Sequence, residues 1–309
     1  MREKQLSKRL QAVVSLVTPG RRVADVGCDH AYASIYLMEH GLAKECIALD
    51  VREGPLERAR SNIAAHRLSG QIPTRLGSGL EPVCRGEIDT VLMAGMGGIL
   101  VRDLLEGSRE LSHSLLEWVL QPQSDVELVR RYIRESGFQI AAEEMVREDG
   151  KYYPMFRAVP AEAERAEARK TEAGKTEAET AEAGKAEAGK TEAGKAEAGK
   201  AEAETVEYGD GRKEETEEKD RNTKKIDQEV WDRFGKLLLQ RRHPVLYEYL
   251  KGREEHYRQV LLQMQENPAI PQRLEKMAAN TEKAKEIQQE AVYVRYALQY
   301  WENKGAKKR

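Results

Sequence analysis

The chain has 309 residues, with 51 Lys and Arg against 53 Asp and Glu, 40% hydrophobic residues and three cysteines. That apolar share supports at least one full core, and no apolar run reaches the roughly 18 residues of a membrane span, so no transmembrane helix is expected. M-R-E-K-Q-L-S-K-R-L lacks the apolar centre of a signal peptide, and Cys28, Cys46 and Cys84 form neither a disulfide framework nor a zinc spacing, which together predict a reduced cytoplasmic setting and no metal.

Residues 1–160 are nearly balanced in charge, with 21 Lys and Arg against 22 Asp and Glu. Leu6, Leu10, Val13, Val14 and Val17 share one face of an amphipathic helix over 3–17, ended by T-P-G at 18–20. A buried strand at Val23–Val26 runs through V-G-C-D-H into a helix at about Ala31–His40, and Cys46–Asp50 is the second strand. Pro55 opens a third helix that reaches about His66. Ile72–Leu76 is a short strand before G-S-G, and Ile88–Met93 leads into A-G-M-G-G at 94–98. A helix at Ile99–Leu105, a strand at Trp118–Gln123 and a helix over 125–136 follow, the last stopped by Gly137. Phe138–Val146 and Tyr152–Val159 alternate as two antiparallel strands joined by R-E-D-G-K. Strand and helix alternate five times and finish on a hairpin. The pattern predicts an α/β fold: a doubly wound, mostly parallel sheet with one antiparallel strand inserted near its end. Right-handed crossovers put the ends of the first and fourth strands side by side, so D-V-G-C-D-H and A-G-M-G-G should line one crevice.

Residues 161–220 repeat E-A-G-K with hardly a large apolar side chain and carry 11 Lys and Arg against 19 Asp and Glu. A Gly in each repeat costs about 1 kcal/mol relative to Ala in a helix, and no apolar face offsets it. The expectation is a disordered linker over 161–225. Residues 221–309 reverse the charge, with 19 Lys and Arg against 12 Asp and Glu. There W-D-R-F-G-K-L-L-L-Q is apolar enough to pack on the sheet, and a helix runs from Pro244 to about Met264. N-P-A-I-P at 267–271 breaks it, and a second helix spaces Leu274, Met277, Thr281, Ala284, Ile287, Ala291, Val294, Leu298 and Trp301 three or four apart. Residues 226–309 are therefore expected to form an antiparallel α-helical coiled coil.

A dinucleotide site calls for G-x-G-x-x-G, whose second glycine admits a pyrophosphate. Here Asp29 stands at that second position, and a carboxylate there repels phosphate. A ligand that is cationic at sulfur and carries an ammonium group suits acidic residues instead. Asp50, ending the second strand, can accept both ribose hydroxyls, although it also reads as a helix cap before Arg52. Asp25, Gly27, Asp29 and Asp50 together fit S-adenosyl-L-methionine and do not fit NAD.

D-V-G-C-D-H-A-Y at 25–32, A-G-M-G-G at 94–98, L-Q-P-Q at 120–123 and E-D-G-K-Y-Y at 148–153 resemble the bacterial tRNA (adenine-22, N1)-methyltransferase family. L-S-K-R-L at 6–10, F-G-K-L-L-L and H-P-V at 243–245 are similar to it as well, so the resemblance spans about 1–160 and 226–309. It implies a Rossmann-like seven-stranded methyltransferase domain over 1–160, S-adenosyl-L-methionine as cofactor, tRNA as partner and a C-terminal coiled coil over 226–309 as a tRNA-binding arm. A monomer is favoured. Carried over by position, Asp25, Gly27, Cys28, Asp29, His30 and Tyr32 form the cofactor loop, joined by Asp50, Ser78, Gly79 and Gly95. The family often has Glu where Asp50 stands, and such enzymes commonly carry Asp where Ser78 offers one hydroxyl. Ser or Gly is usual at Cys28, which reads as a packing choice.

Adenine N1 keeps its lone pair at neutral pH, so its methylation needs alignment and tolerance of positive charge more than a general base. Asp29, Met96 and Gln121 are the candidate catalytic residues: Met96 could pack on a purine face, while Gln121 and Gln123 could bond the base edge or simply cap the sheet. The glycines of A-G-M-G-G, Gly97 among them, either admit the base or form a tight helix entry. The absence of an Asn/Asp-Pro-Pro-aromatic loop favours a ring nitrogen over N6. Arg9, Arg241 and Arg242, with Arg21, Arg22 and the cations of the C-terminal helices, are candidates to meet phosphates or to be solvated surface residues. His30 stays unassigned. Two other readings use the same sequence: a methyltransferase of another RNA, DNA or a small molecule, and a non-catalytic coiled-coil RNA-binding protein on a degenerate Rossmann scaffold.

Overall fold

Seven strands form one sheet in the order β3-β2-β1-β4-β5-β7-β6. They are β1 (Arg21–Val26), β2 (Ala43–Asp50), β3 (Thr74–Leu76), β4 (Thr90–Gly97), β5 (Glu117–Ser124), β6 (Phe138–Glu148) and β7 (Lys151–Pro160). The first five run parallel, and β7 is inserted antiparallel between β5 and β6. The computed structural model describes the backbone of residues 6–162, 211–266 and 274–302, and the side chains of 6–162, 223–264 and 282–302. Most of the E-A-G-K repeat, the N-P-A-I-P turn and the K-K-R end at 307–309 lie outside the described residues, so the expected linker disorder does too. Met1–Pro160 with Ile226–Arg309 make one compact unit, and Ala161–Lys225 make another.

The helices of the first part are α1 (Lys8–Val14), α2 (Tyr32–Glu39), α3 (Glu53–Ala65), α4 (Gly98–Gly107), α5 (Arg109–Ser112) and α6 (Val126–Glu135). The pleat sends alternate strand residues to opposite faces. Val23, Ala48, Leu92 and Val119 pack under α1, α2 and α3, whereas Ala24, Leu49, Met93 and Trp118 pack under α4 and α6. Trp118 stacks on Phe138 at 3.8 Å and donates its indole N–H to the Ser112 carbonyl.

Three boundaries differ from expectation for local reasons. Helix α1 begins at Lys8 rather than residue 3 because the Ser7 hydroxyl accepts the Leu10 N–H and caps it. Strand β3 begins after Pro73, which has no N–H to give a ladder; only its carbonyl serves, accepting from Ala48 N. A-G-M-G-G is no separate loop: β4 continues to Gly97 with register shifts between Ala94, Met96 and Gly97, a bulged strand end.

Helix α7 (Gly211–Phe234) leads into α8 (Lys236–Gln240), α9 (Pro244–Glu266) and α10 (Leu274–Glu302). The W-D-R-F-G-K-L-L-L-Q segment does pack on the sheet. Arg130 of α6 donates to the carbonyls of Asp232 and Arg233, and Glu143 of β6 accepts the N–H groups of Leu237 and Leu238. The last two helices pair antiparallel: Tyr247 meets Trp301 near one end, and Leu261 and Leu262 share a wall with Ala291 and Arg295 farther along. Among the described residues no helix is long and apolar enough to cross a membrane.

Candidate functional site

The carboxyl ends of β1, β2, β3, β4 and β5 frame one cleft of about 800 Å³. The chain leaves β1 through a tight turn in which Gly27, Asp29 and Ala31 all have positive φ, at 72°, 44° and 55°. Glycine is required at 27 on two counts. Its backbone is left-handed, and a Cβ there would stand 2.3 Å from Met96 Cε, so the β1 turn and the end of β4 touch through it. The N–H groups of Gly27 and Cys28 both donate to the Leu49 carbonyl, which pins the turn to β2.

Asp25, Gly27, Cys28, Asp29, His30 and Tyr32 line the cleft from this turn, Asp50 from β2, and Ser78 and Gly79 from the segment after β3. Gly95 and Met96 line it from β4, Gln123 from β5 and Arg9 from α1. The other expected residues lie elsewhere. Gly97 caps α4, where its neighbour Gly98 leaves no room for a Cβ against the Ser124 carbonyl, so this half of A-G-M-G-G is a helix entry. Gln121 is fully buried beneath the cleft wall. Arg241 and Arg242 sit at the α8–α9 corner, donating to the Glu143 and Tyr300 carbonyls.

The electrostatics favour a cation. Asp25 is 4% exposed, and its carboxylate accepts the Ser34 hydroxyl at 2.7 Å. Burial pushes the Asp25 carboxyl up to about 6; the Ser34 bonds pull it back, and neighbouring Asp50 pushes it up further. Among the described residues no Lys, Arg or His pairs with Asp25. Asp50 accepts the Arg52 N–H at 3.0 Å and does not cap α3, whose N-cap is Arg52 without a side-chain bond. The helix-cap alternative for Asp50 is therefore replaced by a turn contact within the cleft. Burial, then the neighbouring carboxylates, push the Cys28 thiol far up, so it stays protonated and serves as packing.

Asp29 and His30 form the rim. Asp29 is bonded to Arg58 at 2.6 Å, with His30 Nε2 3.6 Å from its other oxygen, and the His30 ring stacks on Tyr32. Asn62 donates to the His30 carbonyl at 3.0 Å. Sequence reading passed over Arg58 and Asn62, although their i, i+4 spacing on α3 marks a shared face. It also passed over Val51, Arg52, Leu100 and Leu104, which line the cleft. Among the described residues no group of His, Cys, Asp and Glu is arranged to hold a metal ion.

Residues 6–156 match a family model described as a methyltransferase domain. The chain is 32% identical over 166 residues to the tRNA (adenine(22)-N(1))-methyltransferase of Bacillus subtilis (strain 168), covering 54% of this chain and 70% of that protein. The crystal structure of the B. subtilis M1A22 tRNA methyltransferase superposes with a TM-score of 0.66 at 22% identity, covering 96% of this chain and 100% of that one. An M. capricolum relative, solved with the cofactor product S-adenosyl-homocysteine, gives a TM-score of 0.62 at 20% identity over 96% of this chain and 98% of that one. At these identities the two structures speak for the fold alone.

Proposed function

Because the chain belongs to the tRNA (adenine-22, N1)-methyltransferase family, we propose that it transfers a methyl group from S-adenosyl-L-methionine to N1 of the adenine at position 22 of tRNA. The observation that carries this reading is the convergence of the Asp25–Tyr32 turn, Asp50, Ser78 and Gly95–Met96 on a single cleft.

The residues present fit the cofactor. The cleft, about 800 Å³, lies within the roughly 300–1,000 Å³ of small-molecule sites. Its buried acids suit a cationic ligand, and glycine at 27 leaves backbone rather than side chain facing it. When bound, S-adenosyl-L-methionine supplies a methyl group on a positively charged sulfur. Asp50 accepts the ribose hydroxyls, the Ser78 hydroxyl bonds the adenine edge, and the acids of the β1 turn hold the ammonium end. On the acceptor side Gly95 gives the base room, Met96 packs on its face and Gln123 bonds its edge. No residue has to remove a proton before attack, because N1 offers a free lone pair. The chain's work is to align the two reactants and to accept positive charge moving onto the ring. Extruding the base from its stack costs a few kcal/mol.

Basic side chains of α9 and α10 (Lys251, Arg253, Arg258 and Arg295), with Arg241 and Arg242 at their base, serve as a coiled-coil arm that reads the shape of the RNA. The enzyme works in the cytoplasm as a monomer and uses no metal. Incubating unmodified bulk tRNA with the protein and methyl-labelled cofactor, then analysing nucleosides by mass spectrometry, should place the label in 1-methyladenosine. Label in N6-methyladenosine or in a cytosine product would overturn the reading.

A further inference from the structure

Gln121 belongs to the β5 end nearest the cleft, yet it cannot touch a reactant. It is 0% exposed, its Oε1 accepts a hydrogen bond from Arg9 Nη1 at 2.7 Å, and its Nε2 donates to the Pro122 carbonyl at 3.1 Å. Arg9 is the residue that reaches the cleft. Its Nη1 lies 3.5 Å from where a Cβ on Gly95 would stand, beside the contact between Met96 and Gly27. Its guanidinium carbon lies 5.7 Å from the centre of the Tyr153 ring, and Lys8 N, next along the chain, donates to Glu148 Oε1 at the hairpin tip. The Arg9 guanidinium is thus held by Gln121 and the Tyr153 ring, while the neighbouring Lys8 backbone is tied to the hairpin.

What Arg9 lacks is a counter-charge. Among the described residues no carboxylate pairs with it, whereas Arg22, Arg75 and Arg130 are paired with Asp89, Glu87 and Glu143. A glutamate at position 121 would fix the same guanidinium and cancel its charge. A glutamine fixes it and leaves the charge intact for something else. That partner is not the ring nitrogen, because a cation beside it would oppose the charge arriving with the methyl group.

We infer that Gln121 is a positioning residue that acts through Arg9, holding its guanidinium in the cleft wall as the receptor for an oxyanion carried by the reactants. The inference rests on the methyltransferase reading. The anion is either the carboxylate of the cofactor's amino-acid end or a phosphate of the target nucleotide; both offer oxygens to the guanidinium fork.

The test uses full-length Arg9→Ala, Arg9→Lys, Gln121→Glu, Gln121→Met and the Arg9→Ala/Gln121→Met double variant, each checked for cooperative unfolding. S-adenosylhomocysteine binding is measured by calorimetry, and the KM for tRNA is measured over a salt series. Arg9→Ala and Gln121→Glu should each weaken one of the two ligands roughly tenfold or more, with kcat changing less. Arg9→Lys should recover part of the loss, and the double variant should be no worse than Arg9→Ala. A carboxylate partner predicts weaker S-adenosylhomocysteine with the tRNA salt dependence unchanged. A phosphate partner predicts the reverse, with the salt slope reduced by about 1. The inference is overturned if Arg9→Ala alters neither ligand, or if Gln121→Met, which leaves no buried charge, still impairs the Arg9→Ala background. A wild-type protein that neither binds S-adenosylhomocysteine nor methylates tRNA would instead overturn the function on which the inference rests.

Discussion

The cleft and the joint between the sheet and the C-terminal helices both bury carboxylates, and they treat them in opposite ways. At the joint Glu143 is 2% exposed and fully matched: Arg130 Nε lies 3.0 Å from it, and two backbone N–H groups of α8 fill its second oxygen. Gly235, with φ of 89°, permits this, since a Cβ there would lie 2.7 Å from both Glu143 oxygens. In the cleft Asp25 is 4% exposed and, among the described residues, has Ser34 alone as a side-chain partner. A matched buried charge fixes how elements meet; an unmatched one holds a potential that a cationic ligand can satisfy.

Removing the cation at the joint should have the largest effect. Arg130→Met leaves Glu143 buried without its partner and should cost about 3–5 kcal/mol in urea unfolding. Adding Glu143→Gln should recover part of that loss, because no charge is then stranded. If Arg130→Met costs no more than a surface substitution, the joint is not the matched site described.

The cleft should show the opposite sign. A carboxyl whose folded pKa is about 6 against an unfolded 3.8 binds more protons when folded. The Asp25 contribution to stability should therefore be fully present below about pH 4 and be lost as pH rises to about 6, on the order of 3 kcal/mol for the shift involved, against the opposite contribution of carboxyls such as Glu87 that are held low. Asp25→Asn should lack this falling contribution while binding S-adenosylhomocysteine more weakly. Parallel stability–pH curves for the two proteins would remove Asp25 as the source. Next in size, Asp50→Ala should weaken S-adenosylhomocysteine by about 1.5–3 kcal/mol, the range for hydrogen bonds to a charged group, with the fold retained. An unchanged affinity in calorimetry would return Asp50 to a purely structural turn. The smallest effect belongs to the rim. Arg58 and Asp29 are about half exposed, so Arg58→Ala should change stability by less than about 1 kcal/mol, and less still in high salt.

The same contrast marks what could be read from the chain alone. The succession of strands and helices along the chain followed from apolar runs separated by Gly, Pro and Asp turns. Asp25, Gly27 and Asp50 were legible because a βαβ unit brings strand ends to one edge. Gln121 was not, because Glu117–Pro122 is buried along its whole length and period-two alternation then carries no sign of which face a residue takes. Arg241 and Arg242 read as free cations because the carbonyls that hold them, on Glu143 and Tyr300, are distant in sequence. Arg58 reached Asp29 across 29 positions, another pairing that no local pattern announces. Backbone-driven features were visible; side-chain pairing across the fold was not.

The most direct measurement is reverse transcription of tRNA after reaction with the full chain and S-adenosyl-L-methionine. A methyl group on N1 blocks Watson–Crick pairing, so cDNA synthesis should stop at the adenine at position 22 in the presence of cofactor and not in its absence, with a weaker stop for Asp50→Ala at limiting cofactor. A stop at a different adenine, or full-length cDNA from tRNA that has taken up label, would contradict methylation of N1 at that position.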